Sequence, residues 1–160
     1  MRLEKHEWYM RIAEVVALRG TCLRRQVGCV LVDYRGHILS TGYNGVPRGA
    51  KHCNQEASAL LDTYDTIYPF SCPAAKEGTG SNLGGCRAIH AEQNALLQCP
   101  DVEKIMYCYT TVEPCEHCTK LLLNTGCQAV LFRDRYDANG LHHWVSADRP
   151  PNSWGLVARP

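Results

Sequence analysis

Two short segments set the tightest constraint on this chain: His90-Ala91-Glu92 and Pro114-Cys115-Glu116-His117-Cys118. Each opens a stretch with helical character. His90 to Gln98 is rich in helix formers (Ala91, Glu92, Gln93, Ala95, Leu96, Leu97) and stops at Pro100. Cys115 to Asn124 carries Leu121, Leu122 and Leu123 and is closed by Gly126. Cys115 and Cys118 are three apart, so they meet on one side of a helical turn. His90 and Glu92 are two apart and do not share a helix face. These groups can serve one site only if it lies off the helix ends, where two N-termini converge. Helix N-termini carry partial positive charge, which favours thiolates.

Alone, either segment is a weak signal. A His-x-Glu triplet is common by chance, and a single Cys-x-x-Cys is a zinc half-site, a redox pair or nothing. Together they supply two thiolates and one imidazole. Four such ligands close a structural zinc site, whereas three plus a water make a catalytic one. His-x-Glu followed by Pro-Cys-x-x-Cys is the signature of zinc-dependent deaminases. His90, Cys115 and Cys118 then hold Zn²⁺, which lowers the pKa of a bound water toward roughly 7. Glu92, not a ligand, takes a proton from that water and delivers protons to the ring nitrogen and the departing amine. The alternative is a four-ligand zinc knuckle completed by His117 or a further cysteine, which leaves Glu92 and Pro114 without a purpose.

The remaining pattern supplies the frame. Residues 4–19 read as an amphipathic helix with Trp8, Ile12, Val15, Val16 and Arg19 at helical spacing and Gly20 at its end. Residues 27–33 read as a buried strand, Tyr34 to His37 as a turn and His37 to Tyr43 as a second strand, together a β-hairpin. Lys104 to Thr110 and Gln128 to Arg133 read as further strands. From Asn44 to Ile89 the pattern is poor, with a short helix expected around Asn54 to Tyr64. The tail from about Tyr136 is polar and Pro-rich. Strands alternating with short helices argue for an α/β layer sandwich whose later strands are parallel.

Composition narrows the class. With 160 residues, 45% of them hydrophobic, residues 1–160 fit a single domain. A net charge of +1 gives no support to a nucleic-acid or membrane-surface protein. No apolar run approaches the roughly 18 residues that span a bilayer, and the charged start lacks a signal peptide's apolar stretch. The expectation is a soluble, cytoplasmic protein. Ten cysteines in that setting point to metal or catalysis rather than disulfides. Cys29, Cys108 and Cys127 are expected to be small buried apolar residues.

From about Trp8 to Arg133 the chain resembles the cytidine deaminase-like superfamily and, within it, the deoxycytidylate (dCMP) deaminase branch. The likeness is carried by Trp8-Tyr9-Met10-Arg11-Ile12-Ala13, Thr21-Cys22-Leu23-Arg24 followed by Val27-Gly28, and Gly42-Tyr43-Asn44-Gly45 followed by His52-Cys53. Cys86-Arg87-Ala88-Ile89-His90-Ala91-Glu92-Gln93-Asn94-Ala95 and Thr111-Val112-Glu113-Pro114-Cys115 complete it. The resemblance implies a three-layer α/β/α sandwich with a central mixed β-sheet, the insertion falling at about 44–89. It implies zinc-dependent conversion of dCMP to dUMP and ammonia, feeding thymidylate synthesis. It also implies a homo-oligomer, often a hexamer, activated by dCTP and inhibited by dTTP, with Mg²⁺ accompanying the triphosphate.

For individual residues, the resemblance places Asn44 near sugar and base and lets Gly42, Tyr43, Asn44 and Gly45 border a regulatory nucleotide. The last four also read as a turn, since Asn-Gly is a strong turn signal. Arg24, Arg48, Lys51 and Arg87 are phosphate-binding candidates by charge and nearness to the motifs. Some relatives carry a second, structural zinc, for which Cys22, Cys53, Cys72, Cys86 and His52 are candidates here, buried thiols being the other reading. At its end the chain departs from the family, with Leu141-His142-His143-Trp144 in place of a further helix. A tRNA adenosine deaminase shares the zinc motif but calls for a basic face, and a nucleoside deaminase leaves the long insertion unexplained. A zinc-structural nucleotide-binding module has no use for Glu92.

Overall fold

The computed structural model describes residues 2–53 and 85–136, and the backbone of a short strand at 155–156. At its centre is a five-stranded sheet in the order β2-β1-β3-β4-β5. The strands are β1 (Gly28–Asp33), β2 (Ile38–Tyr43), β3 (Ile105–Val112), β4 (Ala129–Asp134) and β5 (Gly155–Leu156). β1 runs antiparallel to β2 and β3, and β3, β4 and β5 are parallel, so the sheet is mixed. All six residues of β1 are buried, because helices cover both of its faces. The layer sandwich, the hairpin and the parallel late strands match the sequence reading.

Among the described residues, one α-helix lies on one face and two on the other. α1 (Lys5–Ala17) packs Tyr9, Met10 and Ala13 against Val30, Val32 and Tyr109. α2 (Ala91–Gln98) and α3 (Glu116–Leu123) pack Ala91, Ala95 and Leu122 against Cys29, Leu31, Cys108 and Val130. Alternation along the strands sends neighbouring residues to opposite layers. Side chains such as Leu31 and Leu122 each contribute about 1.5–3 kcal/mol by leaving water. Cys29, Cys108 and Cys127 are buried as expected, the first two with sulfurs 3.6 Å apart. No helix among the described residues is long and apolar enough to cross a membrane.

Two glycines set how closely the helices approach. A Cβ at Gly28 of β1 would overlap the Ala13 carbonyl oxygen of α1. A Cβ at Gly42 of β2 would overlap Ala91 O and Ala95 N of α2 and stand 2.9 Å from Ala95 Cα. Gly42 therefore belongs to the packing of α2, and the expected turn over Gly42–Gly45 is instead the end of β2 followed by an isolated bridge. Gly45 and Ile89 exchange both backbone hydrogen bonds, at 3.1 and 2.9 Å.

Of the α1 residues at helical spacing, Trp8 and Val15 are 46% and 66% exposed. The buried residues are Tyr9, Met10, Ala13 and Ala17, and Ala13 and Ala17 lie where α1 meets Gly28. Arg133 of β4 reinforces that contact: its guanidinium donates to both Glu7 oxygens at 3.0 and 2.9 Å and to Glu14 at 2.9 Å. Its side chain is 2% exposed, so it and the α1 carboxylates form a largely buried ion pair across the layers.

The helix expected at 54–64 and most of the 44–89 insertion lie outside the described residues. The polar tail returns to the sheet as β5, pairing Gly155 with Leu131 and Leu156 with Phe132.

Gly28→Ala and Gly42→Ala are each expected to lower the unfolding free energy by about 1–3 kcal/mol, measured by urea titration. Only Gly42→Ala, which displaces the first turn of α2, should also weaken metal retention at that helix start.

Candidate metal centre and cleft

The carboxyl ends of β2, β3 and β4 lie along one edge of the sheet, beside the start of β1. The site is assembled there. His90 is the N-cap of α2 (φ −70°, ψ 158°) and Cys115 the N-cap of α3 (φ −68°, ψ 169°). Extended backbone at a cap directs the side chain off the helix end rather than along its flank. The His90 N–H donates to Gln93 Oε1 at 3.0 Å, and Asn94 Nδ2 donates to Tyr43 O at 2.8 Å. With the Gly45–Ile89 bridge, these bonds tie the start of α2 to the end of β2.

His90 Nδ1 lies 3.4 Å from Cys115 Sγ and 3.5 Å from Cys118 Sγ. All three ligand atoms lie within 4.8 Å of one another. Tetrahedral zinc with ordinary Zn–N and Zn–S lengths separates its nitrogen and sulfur ligands by about 3.5 Å. The donor set, its spacing and its soft character therefore fit zinc. His117 is exposed and outside this group, which leaves the four-ligand knuckle without that ligand.

Electrostatics favour a cation between the helix ends. The Cys115 thiol is pulled down to about 4, first by the hydrogen bond from Cys118 and then by His90. Cys118 is pushed up because it keeps the shared proton and is buried. His90 is raised, mainly by its bond to Cys115. Binding a metal displaces the protons of thiol ligands. Glu92, in the first turn of α2, is 4% exposed, and burial raises its pKa against the pull of His90.

Beside these groups opens a cleft. His90, Ala91, Glu92 and Cys115 form its floor, and Cys22, Arg24, Arg25, Val27, Asn44, Cys86, Ala88, Val112, Glu113 and Tyr136 its walls. Asn44 is buried: its Oδ1 accepts from Val27 N at 2.8 Å and its Nδ2 donates to Arg25 O at 2.7 Å. It thereby fixes the loop that precedes β1.

Among the phosphate candidates, Arg24 lines the cleft. Arg48 is exposed on the 47–50 turn, and Arg87 and Lys51 are half-buried outside the lining. Of the second-zinc candidates, Cys22 and Cys86 line the cleft, and Cys53 is buried against Val46 and Cys86. His52 is exposed, 3.2 Å from Thr21 Oγ1. Cys72 lies outside the described residues. Among the described residues the one group placed to hold a metal is His90, Cys115 and Cys118.

Sequence reasoning missed three wall residues. Arg25 pairs with Asp134 at 3.1 Å, holding the loop before β1 against the end of β4. Glu113 is buried; its N–H donates to Asp134 O at 2.8 Å and its Oε2 accepts from Tyr136 N at 3.0 Å. That double contact holds Tyr136 beside the metal ligands. The only signal in the sequence was adjacency, Glu113 to Pro114-Cys115 and Arg25 to Arg24.

Residues 3–133 match the family described as the cytidine and deoxycytidylate deaminase zinc-binding region. A deoxycytidylate deaminase of Schizosaccharomyces pombe is 34% identical over 137 residues, covering 81% of this chain but 37% of that protein. The chain thus spans well under half the length of that relative. A deoxycytidylate deaminase of Mycobacterium phage D29 is 35% identical over 127 residues, covering 79% of this chain and 91% of that protein. The crystal structure of dCMP deaminase from the cyanophage S-TIM5 superposes with a TM-score of 0.65 at 25% identity, covering 98% of this chain and 100% of that one.

Elemental analysis of purified protein is expected to show zinc retained in Glu92→Gln and His117→Ala and lost in Cys118→Ala. Loss of zinc in His117→Ala would restore the knuckle.

Proposed function

Because the chain belongs to the cytidine and deoxycytidylate deaminase family, we propose that it is a zinc-dependent hydrolase converting dCMP to dUMP and ammonia. The observation that carries this reading is the convergence of His90, Cys115 and Cys118 on one point, with His90, Glu92 and Cys115 lining the cleft beside it. His90, Cys115 and Cys118 would hold the metal. Zinc, when bound, supplies Lewis acidity that makes water a competent nucleophile near neutral pH.

The chain's own groups do the rest. The Glu92 carboxylate takes a proton from the attacking water and passes it to the pyrimidine ring nitrogen. A second proton from water leaves with the exocyclic amine, so the water oxygen becomes the new carbonyl and ammonia departs. The buried position of Glu92 keeps bulk water from competing for that proton. Arg24 on the cleft wall is the candidate for the 5′-phosphate. Arg25 is engaged by Asp134 and holds the wall. Asn44 shapes the sugar end of the cleft, its amide carrying a second N–H beyond the one given to Arg25 O.

Further features of the proposal rest on the family likeness of the Gly42–Gly45 segment and the cysteine-bearing insertion. They are activation by dCTP with Mg²⁺, inhibition by dTTP, a structural zinc drawing on Cys22, Cys53, Cys72, Cys86 and His52, assembly as a homo-oligomer up to a hexamer, and a cytoplasmic setting. Tyr43, Asn44 and Gly45 remain the candidates for effector contact, since Gly42 lies beneath α2.

Ammonia release from zinc-loaded protein given dCMP, with and without dCTP, tests the reading. Turnover is expected, with a loss of about 10²–10⁴-fold in Glu92→Gln. Arg24→Ala should raise KM for dCMP by about 10-fold or more while leaving deoxycytidine nearly unaffected, and Arg48→Ala should change neither. Turnover of a nucleoside or of tRNA, with none on dCMP, would overturn the substrate assignment.

A further inference from the structure

Two amide rungs join α2 to β2, which stands at the end of the sheet order. Asn94 Nδ2 donates to Tyr43 O at 2.8 Å, and Gln98 Nε2 donates to Thr41 O at 3.2 Å. The periods of the two elements explain why both rungs form. Four residues of helix advance about 6 Å and two residues of strand about 6.7 Å, so the rungs stay in step. Between them Gly42 lets the backbones close, facing Ala91 and Ala95. The rungs differ in what lies next to them. Asn94 is one turn from His90, and its own N–H donates to His90 O at 2.9 Å. Gln98 is two turns from His90 and exposed, and its amide is shared with Asn94 O at 3.2 Å.

We propose that Asn94 is a positioning residue for the metal ligand His90. The proposal rests on the metal reading above and adds what sets the reach of one ligand. His90 comes from α2, and both thiols come from the start of α3. Any slip of α2 along β2 therefore changes the nitrogen–sulfur separations of 3.4 and 3.5 Å directly. The Gly42 contact sets how near α2 lies. The Asn94 bond sets its register along β2, since a hydrogen bond prefers a direction as well as a length. The Gly45–Ile89 bridge holds the chain before His90, and Asn94 holds the first turn after it. His90 is thus pinned from both sides to the end of one strand. Gln98 resists the same slip less well. Water competes for its amide, its side chain has one more rotatable bond, and it holds the tail of α2 rather than the cap. Groups that orient a metal ligand from behind are typically worth about 10–100-fold in metal affinity.

Zinc affinity, read by competition with a chromophoric chelator, tests it in Asn94→Leu against Gln98→Leu. Each variant removes one rung and keeps a good helix former. Ser40 Oγ still donates to Ala95 O at 2.8 Å in both, so α2 stays on the sheet. Asn94→Leu is expected to weaken zinc binding by about 10–100-fold and to shift the d–d absorption of the cobalt-substituted protein, which reports ligand geometry. Gln98→Leu should leave both near wild type. Urea unfolding of the metal-free forms separates lost stability from lost metal. Should Asn94→Leu fail to fold, Asn94→Asp carries the test. It keeps the shape, loses the donor and adds a negative charge that by itself favours a cation. Unchanged zinc affinity and cobalt spectrum in the Asn94 variants overturn the proposal, as does a zinc loss that tracks metal-free stability equally at both positions. A wild type that binds no zinc overturns the metal reading along with it. Zinc bound as expected with no turnover of dCMP overturns the catalytic reading alone.

Discussion

Two helix N-termini aimed at one point form an arrangement that polypeptide alone does not favour. Each carries partial positive charge and unsatisfied N–H groups, and like ends repel. The fold places the starts of α2 and α3 together at the sheet edge and lines the meeting point with groups that answer that charge. These are the Cys115 thiolate, the Cys118 thiol and the Glu92 carboxyl. Everything else in the described structure serves to hold those ends in place. β3 delivers α3 through Glu113-Pro114, while β2 holds α2 through the Gly45–Ile89 bridge and the Asn94–Tyr43 bond. Gly42 lets α2 lie close enough for that bridge to form.

The cleft walls are bound together by polar contacts rather than by apolar packing. Asn44 fixes the loop before β1, Arg25 ties that loop to Asp134, and Glu113 ties both the backbone at Asp134 and Tyr136 to the metal loop. These bonds join four segments that are far apart in the chain. Such a rim holds its shape without lining the cleft with large hydrophobic residues, leaving room for a polar ligand.

What the sequence disclosed and what it hid divide along one line. Local rules sufficed for His90 and Cys115 as helix starts, for the hairpin and for the parallel late strands, since caps, turns and periodicity are set by neighbours. They failed where the answer lay across the sheet. The α1 periodicity marked a helix, but which side is buried was visible only with Gly28 packed against Ala13 and Ala17. Nothing local to Arg133 shows that Glu7 and Glu14 stand opposite it. Glu113 and Tyr136 gain meaning only once β4 ends beside the metal loop. The tail gave no strand signal because β5 is two residues long, and pairing with β4 defines it more than composition does.

The Gly45–Ile89 bridge has a consequence for how such a chain tolerates change. It joins the two ends of the insertion at its base, immediately before the histidine ligand. Closing a loop costs entropy that grows only with the logarithm of its length. Residues can therefore be gained or lost between those two positions at small thermodynamic cost, while the geometry at His90 stays fixed by the clasp. The insertion is in that sense a free port on a rigid housing, a place where new sensing or binding elements can be traded in evolution or by design without retuning the chemistry beneath.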